Sequence, residues 1–208
     1  MRGIDNAKLY LVARAEVGRW KLADLVPDLA AAGVEVIQLR EKDMEVGDLL
    51  RVTPPVLEAC RSAGIPFILN DRPDVALALG ADGVHVGQND LPPKATRRVV
   101  GDKAILGLST HRESEVTAAE GEPIDYFAVG PVYETPTKLG RPAAGIDLVR
   151  FAASRARLPW FAIGGIDASN LPEVLGAGAT RIVVVRAITE ADDPAAAAGR
   201  LRRLLDES

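Results

Sequence analysis

Phe67-Ile68-Leu69-Asn70-Asp71 and Gly83-Val84-His85-Val86-Gly87-Gln88-Asn89-Asp90 are two apolar runs that end in amide and carboxylate side chains, separated by a short helical interval. Neither run alternates polar with apolar residues, as a strand with one wet face would. Continuous apolar strands joined by helices belong to a parallel sheet covered on both faces. The polar residues at the downstream ends then gather on one rim of that sheet. Asp71 and Asp90 reach the rim from neighbouring strands, where two carboxylates could serve one metal ion.

The same unit recurs on both sides of this stretch. Upstream lie an apolar strand at 9–13, a helical pattern from Trp20 to Ala32 stopped by Gly33, a β-rich run at 34–40, and a helix from Leu49 toward Gly64 that Pro54-Pro55 should interrupt or kink. Pro27 weakens the first of these helices. Downstream, strands at 104–108, 126–130, 160–163 and 181–185 are followed by helices at 114–120, 146–155, 171–176 and 194–205. With the helices at 74–79 and 92–100, the count is eight of each. That count in 208 residues predicts an α/β fold, a (β/α)₈ TIM barrel, as one catalytic domain over 1–208 with no linker. The connection from Pro131 to Gly145 is long for such a barrel and is read as functional.

Composition excludes several function classes. A chain with 48% hydrophobic residues can fill a barrel core, and a net charge of −4 leaves no extended basic surface for nucleic acid. The first apolar run follows Asp5 and Lys8, unlike a secretory leader, and no run nears the roughly 20 residues that cross a bilayer. A single cysteine, Cys60, in a helical pattern, reads as a small buried hydrophobe. A soluble cytoplasmic protein is expected, without nucleic-acid or membrane partners; a homo-oligomer is compatible with the sequence.

The rim carries several candidate groups. Gln38, Arg40 and Lys42 share one side under the period-two rule, so an amide and two cations face a common space. Asp71 and Asp90 are candidate metal ligands, although each could instead cap the helix that follows it. Ser109 and His111 end the fifth strand, but no nucleophile elbow surrounds Ser109, which argues against a Ser-His hydrolase; His111 could cap the next helix. His85, inside an apolar strand, reads as a structural histidine with its bonds satisfied. The 131–145 connection offers Thr135, Thr137, Lys138 and Arg141. Gly164-Gly165 after strand seven and Val185-Arg186 after strand eight occupy the usual phosphate site of these barrels.

Taken together, Gln-Leu-Arg-Glu-Lys (38–42), Asn-Asp-Arg (70–72), Gly-Ala-Asp-Gly-Val-His-Val-Gly-Gln (80–88) with Asp90-Leu-Pro, Gly-Leu-Ser-Thr-His (107–111), Gly-Pro-Val-Tyr (130–133) with Thr-Pro-Thr-Lys (135–138), and Ile-Gly-Gly-Ile (163–166) closely resemble the thiamine-phosphate synthases, also called thiamine-phosphate pyrophosphorylases. The resemblance covers nearly the whole chain in the family's order. It implies a transferase of thiamine biosynthesis that joins hydroxymethylpyrimidine diphosphate to hydroxyethylthiazole phosphate with Mg²⁺, releasing diphosphate by a dissociative path. Carried over, Gln38, Arg40, Lys42 and Asn70 match pyrimidine-diphosphate contacts, and Asp71 and Asp90 match metal ligands. Ser109 and Lys138 match contacts to that substrate or its departing diphosphate. Thr135, Thr137, Gly165 and the Val185-Arg186 backbone match the thiazole-phosphate site. Arg40, Lys42 and Lys138 would neutralise the departing diphosphate as catalytic cations.

Arg186 departs from the family, whose synthases commonly carry serine there. If the contact uses the backbone N–H, arginine is harmless; if it needs the hydroxyl, thiazole-phosphate affinity falls. Two other readings share the fold. A thiazole tautomerase carries histidine where this chain has Pro131 and lacks an intact acidic pair. A non-catalytic thiazole-phosphate-binding regulator would need no diphosphate-handling cations.

Overall fold

The apolar runs form the staves of a closed barrel. The computed structural model describes residues 4–134 and 143–207. After a 3₁₀ turn, Ile4–Asn6, the chain forms β1 (Leu9–Ala13), a hairpin of β2 (Glu16–Val17) and β3 (Trp20–Lys21), α1 (Leu22–Ala31), β4 (Val36–Leu39) and α2 (Val46–Ala63). It continues through β5 (Phe67–Asn70), α3 (Pro73–Leu79), β6 (Gly83–Val86), α4 (Pro93–Val100), β7 (Ile105–Thr110), α5 (Glu113–Ala119) and β8 (Tyr126–Val129). The last units are α6 (Gly145–Arg155), β9 (Trp160–Ile163), α7 (Leu171–Gly176), β10 (Ile182–Val184), α8 (Arg186–Thr189) and α9 (Pro194–Asp206).

Strands β1 and β4 to β10 pair in parallel with their neighbours, and β1 closes the ring by pairing with both β4 and β10. This is the expected (β/α)₈ architecture. The double burial inferred from the apolar runs has a direct cause. Along β1, Tyr10 and Val12 point into the barrel with Val36, Ile68, Tyr126, Phe161 and Val183, whereas Leu9 and Leu11 pack outward against the helices. Each strand therefore buries both faces, and no position along it is free to be polar for solvent's sake. Ile4 and Ala7 join the interior cluster.

Several local expectations need correction. Trp20 and Lys21 form a strand of the short hairpin, so α1 begins at Leu22. Pro54-Pro55 do not interrupt α2, which runs unbroken through both. The two prolines lie on its exposed side, where water can take up the carbonyls whose N–H partners are missing. Pro27 sits inside α1 on the same terms. The residues after strand eight turn at once into α8, so Arg186 begins a helix. Neither aspartate caps a helix: the caps of α3 and α4 are Arg72 and Pro92. His111 is no cap either, since Arg112 holds that position and the His111 Nδ1 meets the Gly130 carbonyl oxygen at 2.5 Å. Among the described residues, no helix is long and apolar enough to cross a membrane.

Candidate active site at the strand ends

Every described candidate residue lies at or just past the downstream end of a barrel strand. Asp71 follows β5 in a left-handed conformation, φ 60°, which aspartate tolerates better than most residues. Its N–H donates to the His85 carbonyl at 2.8 Å, tying the turn to β6. Asp90 comes from the next strand end, where its Oδ2 accepts the Gly87 N–H at 2.8 Å. The Asp71 carboxyl is held above the usual carboxylate range by burial first and then by the Asp90 carboxyl beside it. The Lys42 ammonium, 3.4 Å from Asp71, opposes that shift without cancelling it.

A second group sits deeper. Gln38, Arg40, Asn70 and Ser109 line one recess over the barrel interior, together with Tyr10 and His85. Pairing register explains the recess: Asn70, His85, Gly107 and Tyr126 are successive partners across β5, β6, β7 and β8, one inward-facing row. Gly107 leaves the space in that row. A Cβ there would collide with the Tyr126 ring and with His85 Nδ1. Glu41, one residue past Arg40, turns the other way; its carboxylate accepts the Ala15 N–H at 2.7 Å and pairs with Arg14 at 3.1 Å.

The third group lies across the mouth. Gly165, Val185 and Arg186 line a cavity of about 260 Å³ with Pro131, Ile163, Gly164 and Glu190. Gly164 and Gly165 have φ of 107° and 66°, and a Cβ on Gly165 would stand 2.8 Å from Tyr133 Cβ. Glycine is therefore required both by the turn and by the close approach of the segment after β8. That segment is held from outside by Tyr133, whose hydroxyl donates to Glu173 at 2.7 Å; burial and Glu173 push its pKa up to about 12. The Arg186 guanidinium is 3.7 Å from Glu190 and also borders a neighbouring cavity shared with Arg14 and Arg40. Thr135, Thr137, Lys138 and Arg141 lie outside the described residues.

Tyr10 and Tyr126 were not among the expected site residues, and His85 was read as structural. Their signal was present but indirect: a tyrosine in the middle of a buried strand needs a partner for its hydroxyl.

The geometry gathers carboxylates, cations and an amide-hydroxyl recess on one side of the mouth and a glycine-lined cavity on the other. The family model for thiamine monophosphate synthase matches residues 9–188. The chain belongs to the thiamine monophosphate synthase family. The thiamine-phosphate synthase of Mycolicibacterium vanbaalenii is 50% identical over 98% of this chain and 96% of its own length. That of Thermus thermophilus is 52% identical over 95% of this chain and 97% of its own. Among solved structures, the thiamine phosphate pyrophosphorylase of Pyrococcus furiosus superposes with a TM-score of 0.87 at 28% identity, covering 98% of this chain and 97% of that one. A 3-hexulose-6-phosphate synthase, at 19% identity and a TM-score of 0.68, shares the fold. Membership in the thiamine monophosphate synthase family makes the protein a transferase by kinship.

Proposed function

We propose that this protein is a thiamine-phosphate synthase, joining hydroxymethylpyrimidine diphosphate to hydroxyethylthiazole phosphate and releasing diphosphate. The observation that carries the reading is the juxtaposition of the Asp71, Asp90 and Lys42 cluster with the Gln38, Arg40, Asn70 and Ser109 recess, facing the Gly165, Val185 and Arg186 cavity across one mouth. A two-substrate condensation needs two such sites side by side.

The acidic pair fits Mg²⁺. Two carboxylates that hold each other's charge unfavourably are relieved by a divalent cation, and the donor set is all oxygen. Among the described residues no cluster of three or more His, Cys, Asp or Glu could hold a metal, so water and substrate phosphate would complete the shell, as Mg²⁺ favours. Asp71 and Asp90 would hold the ion, and its charge would stabilise the diphosphate oxygens.

The chain's own residues supply the rest. Arg40 and Lys42, joined by Lys138, would meet the charge that develops as the C–O bond to diphosphate breaks. Gln38, Asn70 and Ser109 would hold the pyrimidine while its methyl carbon carries positive charge. Gly165 with the Val185 and Arg186 backbone would orient the thiazole phosphate so that its ring nitrogen forms the new C–N bond. No protein nucleophile is needed, and the pyrimidine-methyl cation is captured by the second substrate.

The test is direct. Purified protein with both substrates and Mg²⁺ should release diphosphate and form thiamine phosphate, and Lys138→Ala should lower turnover by at least about tenfold with an unchanged fold. A tautomerase would act on a thiazole without the pyrimidine, and a regulator would release nothing; Pro131 and the intact acidic pair favour the synthase over both.

A further inference from the structure

A hydrogen-bonded chain crosses the barrel beneath the recess. Gln38 Nε2 donates to Tyr10 Oη at 2.6 Å; Tyr10 Oη is 2.9 Å from Tyr126 Oη, which is 3.0 Å from His85 Nδ1; His85 Nε2 is 2.9 Å from Ser109 Oγ. Tyr10 and Tyr126 are fully buried, and Gln38 and His85 nearly so.

We infer that this chain runs in one direction, making Tyr10, Tyr126 and His85 positioning residues that hold the Ser109 hydroxyl as a hydrogen-bond donor to the substrate. A phenol has one hydrogen to give, and a neutral imidazole has one N–H and one bare nitrogen. Tyr10 receives the Gln38 N–H, so it gives its own hydrogen to Tyr126. Tyr126, having received one, gives its hydrogen to His85 Nδ1. An imidazole that accepts at Nδ1 carries its hydrogen on Nε2 and gives it to Ser109 Oγ. The Ser109 hydrogen then points out of the chain, toward the recess.

Two further observations support the direction. Burial raises both phenols above their ordinary pKa, so they remain neutral hydroxyls and pass on a direction rather than a charge. Gln88 Nε2 donates to the Ser109 carbonyl oxygen at 2.7 Å, which fixes the backbone from which the hydroxyl projects. The reverse direction requires the Gln38 amide to turn its oxygen toward Tyr10, and Ser109 would then spend its hydrogen on His85. The orientation of one amide on β4 thus sets the chemistry of a hydroxyl on β7.

The identity of the substrate rests on the synthase reading; the direction of the chain does not. Given that reading, the pyrimidine-diphosphate atom that meets Ser109 is an acceptor, a ring nitrogen or a phosphoryl oxygen. A donor locked in place before binding needs no reorganisation as the reaction proceeds.

The protein has two histidines, so ¹⁵N-histidine labelling gives two ring systems, and the His111→Asn variant assigns them. The expected spectrum of His85 shows a bare Nδ1 and a protonated Nε2; the opposite tautomer, or an even mixture, overturns the inference. In Tyr126→Phe the tautomer bias should vanish and kcat should fall roughly tenfold, with the KM for thiazole phosphate unchanged. A lost bias with unchanged kcat overturns the positioning role. If Tyr126→Phe does not fold, Tyr10→Phe serves in its place, because it removes the donor that directs Tyr126. The expected tautomer in a protein without synthase turnover counts for the directed chain and against the reaction, so the two failures are distinguishable.

Discussion

Asp71 shows how a functional residue costs stability. It sits at a positive φ, partly buried, beside a second carboxylate, and its carboxyl is held above the usual range as a result. In the folded protein without metal, ionised Asp71 is therefore less favourable than in the unfolded chain. The sign follows: this group's contribution falls as pH rises through its raised folded value, and at neutral pH it is destabilising. Asp71→Asn keeps a side chain that tolerates the left-handed conformation and removes the charge. Its metal-free Tm at pH 7 should rise by roughly 2–4 °C, the shift of about 1 kcal/mol in a chain of this size. Turnover with Mg²⁺ should fall by at least about tenfold. Differential scanning calorimetry and the diphosphate assay check the two halves, and a lower Tm would contradict the account of the pair. None of this could be read from Asp71 in the sequence, where a helix cap and a metal ligand were equally available to it. The cap was excluded by the backbone, which places Arg72 at that position.

At the scale of elements, α2 is the instructive case. Two adjacent prolines would ordinarily end a helix, and the sequence predicts a break there. The helix survives because its buried side, with Leu49, Val56, Leu57 and Cys60, packs into the core while the prolines face water. Tertiary burial outweighs the lost hydrogen bonds. The preceding residue records the cost: among the described residues, Thr53 Oγ1 is the buried side-chain polar atom without a hydrogen-bond partner. Thr53→Val should therefore raise stability by about 0.5–1 kcal/mol, measured by urea denaturation, because an unpaired buried hydroxyl is exchanged for a methyl group. A loss of that size instead would mean that the hydroxyl is bonded. The short α8 teaches the opposite lesson. The sequence carries the apolar run of β10 on toward Ile188 without a break, and only the need to turn over the cavity makes Arg186 the first residue of a helix.

Across the whole molecule, the seam between β1 and β10 brings the ends of the chain together. The Lys8 ammonium meets Asp206 and the Leu205 carbonyl oxygen, each at 3.1 Å, while Arg202 bridges Asp206 and Glu35, each at 2.8 Å. The Asp206 carboxyl is held below the usual 3.8 by Arg202 first and then by Lys8. A depressed folded value means that this contribution is present above the unfolded value and is lost as pH falls through the folded one. The Tm gap between the wild type and Asp206→Asn should be small at pH 6 and close as the pH drops below about 4. Such exposed pairs weaken in salt, so the gap at pH 6 should also shrink at 1 M NaCl. A gap that widens in acid would remove the assignment.

The barrel itself was legible because its strands are buried on both faces: Leu9 must suit the helices and Tyr10 the interior, and the resulting unbroken apolar runs announce a covered parallel sheet. The polar strand ends at Gln38, Arg40, Asn70, Asp71, Asp90 and Ser109 were legible for the same reason, since in such a sheet polarity can return only at the rim. What the sequence by itself determined is thus local: which residues are apolar, with what period, and which polar groups follow them. The tertiary structure alone decided how those groups face one another. Closure of the ring set Lys42 against Asp71 and Asp90 beside it, and laid Tyr10, Tyr126 and His85 between Gln38 and Ser109. The physical reason is that a hydrogen bond or an ion pair is a property of distance, and residues as far apart in the chain as Tyr10 and Tyr126 acquire a distance only when the barrel closes.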